Sequence, residues 1–183
     1  MTKIVQMLPA DVARTTQENV FSASQTFQQE VDVDGDLSYP GTYGELYIAA
    51  VSASQVIPSG SSWTKITVWT DEGAWSNTEI SASDGQIKVL KTGRYLLAAA
   101  LSIASDTNNV VVDYCAHLNG SPLDNLVVRR KIAVAGDVGA LSVTGAFNAA
   151  ASSIIDLRIR HDNAGDVDLT ILSGNVNITY LGE

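Results

Sequence analysis

The 183-residue chain is long enough for one sizeable core and an appendage, and at 45% hydrophobic and only 17% charged it is expected to fold. Its net charge of −9, with no extended run of Lys or Arg, argues against general nucleic-acid binding. No apolar run approaches the roughly 20 residues of a membrane helix, and the single cysteine, Cys115, excludes an intrachain disulfide and reads as a buried small hydrophobe.

The first residues, "MTKIVQMLPADVAR", show no continuous apolar segment and no small-residue cleavage site. Synthesis in a reducing cytoplasm is therefore the expectation. Residues 1–43 are polar, with apolar side chains too sparse for a core of their own: Ile4, Val5, Met7, Leu8, Phe21, Phe27, Val31 and Val33. Pro9 suits the first turn of a short helix through "ADVARTT". Beyond it an extended arm is expected, reaching the acidic turn "DVDGD". Counted from Asp32, the sixth and twelfth positions of a calcium loop are Leu37 and Tyr43, so the EF-hand pattern fails. Such an arm orders best on a partner surface, for instance by adding a strand to a sheet edge.

From Gly44 to residue 183 the pattern has period two. "WTKITVW" alternates Ile66 and Val68 against Trp63, Lys65, Thr67 and Trp69. "SSIIDLRIRH" sets Ile155, Leu157 and Ile159 against Asp156, Arg158 and Arg160, and "NVNITYL" sets Val176, Ile178 and Tyr180 against Asn175, Asn177 and Thr179. Turn clusters separate these runs: "PSGSS", "SDG", "KTG", "SDTNN", "NGSP", "AGDVG" and "DNAGD". About nine short strands at this spacing predict an all-β, two-sheet antiparallel sandwich or barrel. Val167, Leu169 and Ile171 share one parity and Val176 and Ile178 the other, so a bulge near Ser173-Gly174 is expected.

The stretch "GRYLLAAALSIASDTNNVVVDYCAHLNGS" is the most informative. By propensity "YLLAAALSIA" suits a helix; its flanking turn signals give it strand length. As a strand it places Tyr95, Leu97, Leu101 and Ile103 on a core face. Arg94, Leu96, Ala98, Ala100, Ser102 and Ala104 then lie opposite. The following run opposes Val110, Val112, Tyr114 and Leu118 to Val111, Asp113, Cys115 and His117. A second face of small or mixed residues suits close approach by another layer or another subunit. Leu96, Ala98, Ala100, Ser102, Ala104, Cys115 and His117 are accordingly the candidate subunit interface.

These residues resemble the tumour-necrosis-factor-like jelly roll, in its complement globular-head-like branch. "TGRYLLAAALSI" is similar to that family's glycine-aromatic start of a long central strand, and "DYCAHLNGSPL" to the next strand and its Asn-Gly turn. "GALSVTGAFNAAASSIIDLRIRH" and "LTILSGNVNITYL" resemble the later strands, except that "NAAASS" stands where the family usually carries Leu-x-x-Gly-Asp. The resemblance implies a two-sheet jelly roll, a homotrimer about a threefold axis, and a role in binding rather than catalysis. Such domains occur in bacteriophage heads and fibres, and "NVFSASQTFQQEVDVDGDLSY" resembles segments of phage fibre proteins. The expectation is a trimeric decoration protein on the capsid exterior, attached to the major capsid protein through the arm and made in the host cytoplasm. The receptor-binding tip of a tail fibre or spike is the alternative.

Catalytic signals are weak. Ser62-Trp63-Thr64-Lys65 and Lys91-Thr92-Gly93 imitate the S-x-x-K and K-T-G of penicillin-recognising enzymes. That chemistry needs Ser and Lys one helical turn apart, and alternation puts them on opposite faces. His117 and His161, the only histidines, lie on different predicted strands without a ligand partner at metal spacing. A Ser-His-Asp set assembled in space stays open. "HDNAGDVD" reads as a hairpin turn with solvated carboxylates or as an ion site between subunits. Trp63, Trp69 and Trp75 read as packing residues or as a sugar-binding surface. No cofactor or metal is expected.

Overall fold

The computed structural model describes residues 41–49, 53–60 and 62–182, all within the unit Tyr39–Glu183. The candidate arm residues Ile4 to Val33, the short helix expected after Pro9 and the "DVDGD" turn lie outside the described residues.

Twelve strands and no helix are present among the described residues. They run β1 (Tyr43–Ile48), β2 (Ala53–Ile57), β3 (Thr64–Lys65), β4 (Asp71–Ser76), β5 (Thr78–Ser81), β6 (Gln86–Val89), β7 (Gly93–Ser105), β8 (Val110–Leu118), β9 (Ser121–Ile132), β10 (Gly139–Ala149), β11 (Ile154–His161) and β12 (Val167–Gly182). One sheet, called A, has the order β10-β7-β12-β1-β4, with β2 also paired to β12; sheet B has the order β5-β6-β11-β8-β9, with β3 paired to β11. Every pairing is antiparallel. This is the expected jelly-roll sandwich.

The alanine-rich run is strand β7, 13 residues long. Tyr95, Leu97, Ala99, Leu101 and Ile103 are buried between the sheets, where they meet Val110, Val112 and Tyr114 of β8 and Ile155, Leu157 and Ile159 of β11 in one apolar cluster. Helix propensity loses because every second residue of β7 has a buried partner layer, and burial outweighs the few tenths of a kcal/mol that alanine gains in a helix.

The parity change in β12 is resolved by a bulge. The register against β7 shifts between Ile171 and Ser173, so Leu172 is the extra residue. Ile171 and Val176 can both then face the core. The β8–β9 hairpin turns on Asn119 and Gly120, both at positive φ (51° and 83°), the geometry that the Asn-Gly pair favours.

"WTKITVW" departs from its expected strand. Only Thr64 and Lys65 pair with β11. The Trp69 indole N–H donates to the Ile66 carbonyl at 3.0 Å, and both Ile66 and Trp69 end in the core. A buried indole needs an acceptor, and the one in reach lies three residues back, which bends the chain out of the ladder.

Candidate functional site

The outward side of sheet A is built from rows of cross-strand neighbours. Ser142, Ala100, Asn175 and Tyr47 form one row across β10, β7, β12 and β1; Thr144, Ala98, Asn177 and Glu45 form the next; Ala146, Leu96, Thr179 and Tyr43 the third. Leu96, Ala98, Ala100, Ser102 and Ala104 all lie on this side, as the alternation predicts, and none is fully buried. The asparagines, threonines and tyrosines that complete the rows were legible only as the polar half of separate strands. Their convergence is a product of register.

Apart from Glu45 on β1, the central strands of this surface are nearly free of charge. Strands β7, β10 and β12, of 13, 11 and 16 residues, carry only Arg94 and Asp168 as charged residues, at opposite ends of the sheet. An ordinary solvated sheet face carries Lys and Glu, which keep edges and faces from associating. A central area of Ala, Ser, Thr and Asn has little charge to desolvate and lets another backbone approach closely, in keeping with the depletion of charge in interface cores.

Cys115 and His117 do not belong to that face. They lie on β8, in sheet B, and point away from sheet A. They are 0% and 1% exposed within one subunit. The expectation that they share an interface with Ala98 and Ala100 is corrected by a cover that sequence spacing does not reveal. Trp63 stands edge-on to the His117 ring at 5.2 Å, and the Arg160 guanidinium lies 4.3 Å from the Trp63 ring. On the other side a register shift in β9 brings the Leu123 carbonyl to 3.7 Å from the Cys115 thiol. Burial pushes that thiol up to about 11, so it is protonated at neutral pH and no ready nucleophile.

The covered layer of sheet B is held by ion pairs. Asp113 accepts from Arg129 at 2.6 and 2.9 Å and from Arg160 at 3.0 Å. Asp156 accepts from Arg158 at 2.7 and 3.0 Å, while Lys65 donates to Gln86 at 3.1 Å. Hydrogen bonding from Arg129, opposed by burial and reinforced by Arg160, holds Asp113 below the usual carboxylate range. Burial, helped by the nearby Arg158, depresses the His117 imidazole, whose Nδ1 is buried without a hydrogen-bond partner among the described residues.

These two groups set an acid response. Both have folded pKa values below their unfolded ones, so the unfolded chain takes up protons first as the pH falls. Stability is expected to decline from about pH 6.5, where unfolded histidine titrates, and to fall further below about 3.8 as Asp113 is protonated. Thermal melts from pH 8 to 3 on the protein and on His117→Gln check this: the variant should lose the first decline and keep the second.

The remaining sequence signals do not converge. Ser62 is exposed, Lys65 sits on a strand, and Lys91-Thr92 lies in the β6–β7 connection with Gly93 opening β7, so no helical Ser-Lys pair exists. His161 Nε2 meets the Ile57 carbonyl at 2.8 Å while Nδ1 accepts from the Asn163 N–H at 3.1 Å, a structural role. Asp166 accepts from the Ser59 N–H and Asp168 stays exposed, so "HDNAGDVD" is a turn stitched to its neighbours. No group of three or more His, Cys, Asp or Glu able to hold a metal occurs among the described residues. The tryptophans occupy three environments: Trp63 on the ion-pair layer, Trp69 in the core, Trp75 58% exposed.

Two antiparallel sheets in this order, with a long β12 at the centre of sheet A, make a jelly-roll sandwich. Among solved structures, that of Eiger TNF from S. frugiperda superposes with a TM-score of 0.59 at 13% identity, covering 79% of this chain and 95% of that one. Murine APRIL gives a TM-score of 0.48 at 17% identity, over 76% of this chain and 100% of its own. No protein-family description and no curated protein sequence matches the chain.

Proposed function

We propose that the protein is a non-catalytic structural protein: a homotrimeric decoration protein of a bacteriophage capsid exterior, bound to the major capsid protein through residues 1–43. The observation that carries self-association is the small-residue, nearly charge-free area of β7, β10 and β12 on the outward side of sheet A, on a fold shared with Eiger TNF. A chain of net charge −9 that places only Arg94 and Asp168 on three adjacent strands, at their ends, has a surface suited to a second copy of itself. The arm supports attachment, with sparse apolar anchors in a polar segment. Three arms on one trimer bind through high effective concentration even where each is weak, and such contacts oppose opening of a pressurised shell.

The test is deletion of residues 1–40. The truncated protein is expected to keep the mass of three of its own shortened chains by light scattering, as the full protein keeps that of three 19.4 kDa chains, and to lose binding to capsids that lack it. Undiminished capsid binding by the truncated protein overturns the attachment role, and a single-chain mass for the full protein overturns the trimer. The exposed Trp75 favours a second function, the receptor-binding tip of a tail fibre or spike. Binding to host cells in place of capsids distinguishes it.

A further inference from the structure

We propose that a cavity at the Gly93 end of sheet A is a binding site for an acidic sugar, a uronic acid or a sugar of the same carboxylate-and-hydroxyl chemistry. The cavity is an open, shallow groove of about 510 Å³ lined by Thr92, Gly93, Arg94, Asn148, Ala149 and Ala150. That lies within the several hundred Å³ of small-ligand sites and leaves room for more than one sugar ring. Arg94 and Asn148 are direct cross-strand partners on β7 and β10, so their side chains stand together on one face. Neither the guanidinium nor the amide has a hydrogen-bond or ion-pair partner among the described residues. The Thr92 hydroxyl oxygen accepts from the Ala151 N–H at 2.9 Å and keeps its own O–H to donate. None of the lining residues is acidic, in a chain of net charge −9. A second cation stands near: Lys91 lies 4.3 Å from the ring centre of Tyr180, the residue whose ring closes on Gly93.

Each group has a matching part in the ligand. A guanidinium fork fits a carboxylate through two parallel hydrogen bonds. An amide and a hydroxyl beside it, each both donor and acceptor, fit vicinal hydroxyls. The exposed Ala150 methyl offers an apolar contact for C–H edges. The site lies at the end of the sheet past Leu96, outside the residues assigned to subunit contact, and stands independently of the proposed function.

Calorimetric titration of the full protein with methyl β-D-glucuronide tests it, with methyl β-D-glucoside and sodium acetate as controls at matched ionic strength. The glucuronide is expected to bind at about millimolar strength or better, with the glucoside and acetate each at least about tenfold weaker. Arg94→Ala and, separately, Asn148→Ala should each weaken the glucuronide about tenfold, with solution mass and melting temperature unchanged. No glucuronide binding, equal binding of acetate or of the neutral glucoside, or full affinity in Arg94→Ala each overturns the proposal. A variant that fails to fold is replaced by Arg94→Lys, which keeps the charge, loses the fork and should bind more weakly than the parent; parent-like affinity overturns the proposal.

Discussion

For the proposed trimer, replacing Ala98 and Ala100 together by arginine is expected to reduce the solution mass from three chains to one while leaving the sandwich folded. Both side chains point out of sheet A, Ala100 exposed and Ala98 half-buried, so arginines there extend into solvent in an isolated subunit. In a trimer packed through this face they meet the same substitution on a neighbour, or Ser142, Thr144, Asn175 and Asn177, the cross-strand neighbours, none of which bears a charge to pair with them. An uncompensated charge buried at an interface costs about 3–5 kcal/mol, and two per subunit exceed what a contact of small side chains recovers. Light scattering reads the mass and far-ultraviolet dichroism the fold. Unchanged mass in the folded variant removes this face from the assembly. Paired substitutions on the covered side of sheet B, at Cys115 and His117, are expected to unfold the subunit instead.

Gly93→Ala is expected to destabilise the fold by about 2–4 kcal/mol, lowering the melting temperature on the order of 10 °C. Gly93 opens β7 at φ 147°, where a side chain is strained. A Cβ there would stand 2.5 Å from Cε2 of Tyr180 and 2.6 Å from the Gly182 carbonyl oxygen. The ring could yield. The carbonyl is harder to move, because Gly182 pairs with Arg94 at the end of the β7–β12 ladder, and shifting it opens the longest pairing among the described residues. Tyr180 also packs edge-on to buried Tyr95 at 5.3 Å, and Tyr95 stacks on Phe147 at 6.0 Å, so displacement spreads through three aromatic rings. A melting temperature within 2 °C of the parent contradicts this account of the strand's start.

The sequence by itself determined that the described chain is built of strands, where the long ones run and which side of each faces inward. Period-two alternation and Gly, Asn and Asp turn clusters are local signals, and they survive because side-chain direction in a strand depends only on parity. Hence β7, β8, β11 and the bulge in β12 were legible, and so was the outward set from Leu96 to Ala104. Only the tertiary structure decided what covers each outward side. The second faces of β7 and β8 look alike as text, yet one lies open on sheet A and the other is roofed by Trp63 and Leu123. Trp63 reaches His117 from 54 positions away in sequence, and no spacing rule encodes that contact. The same holds for Trp69, whose need for an acceptor pulls an alternating segment off the sheet, and for Arg94 and Asn148, 54 residues apart and joined only by the β7–β10 register. Parity is a property of the backbone next door; cover depends on loops and registers that exist only once the two sheets have closed on their core.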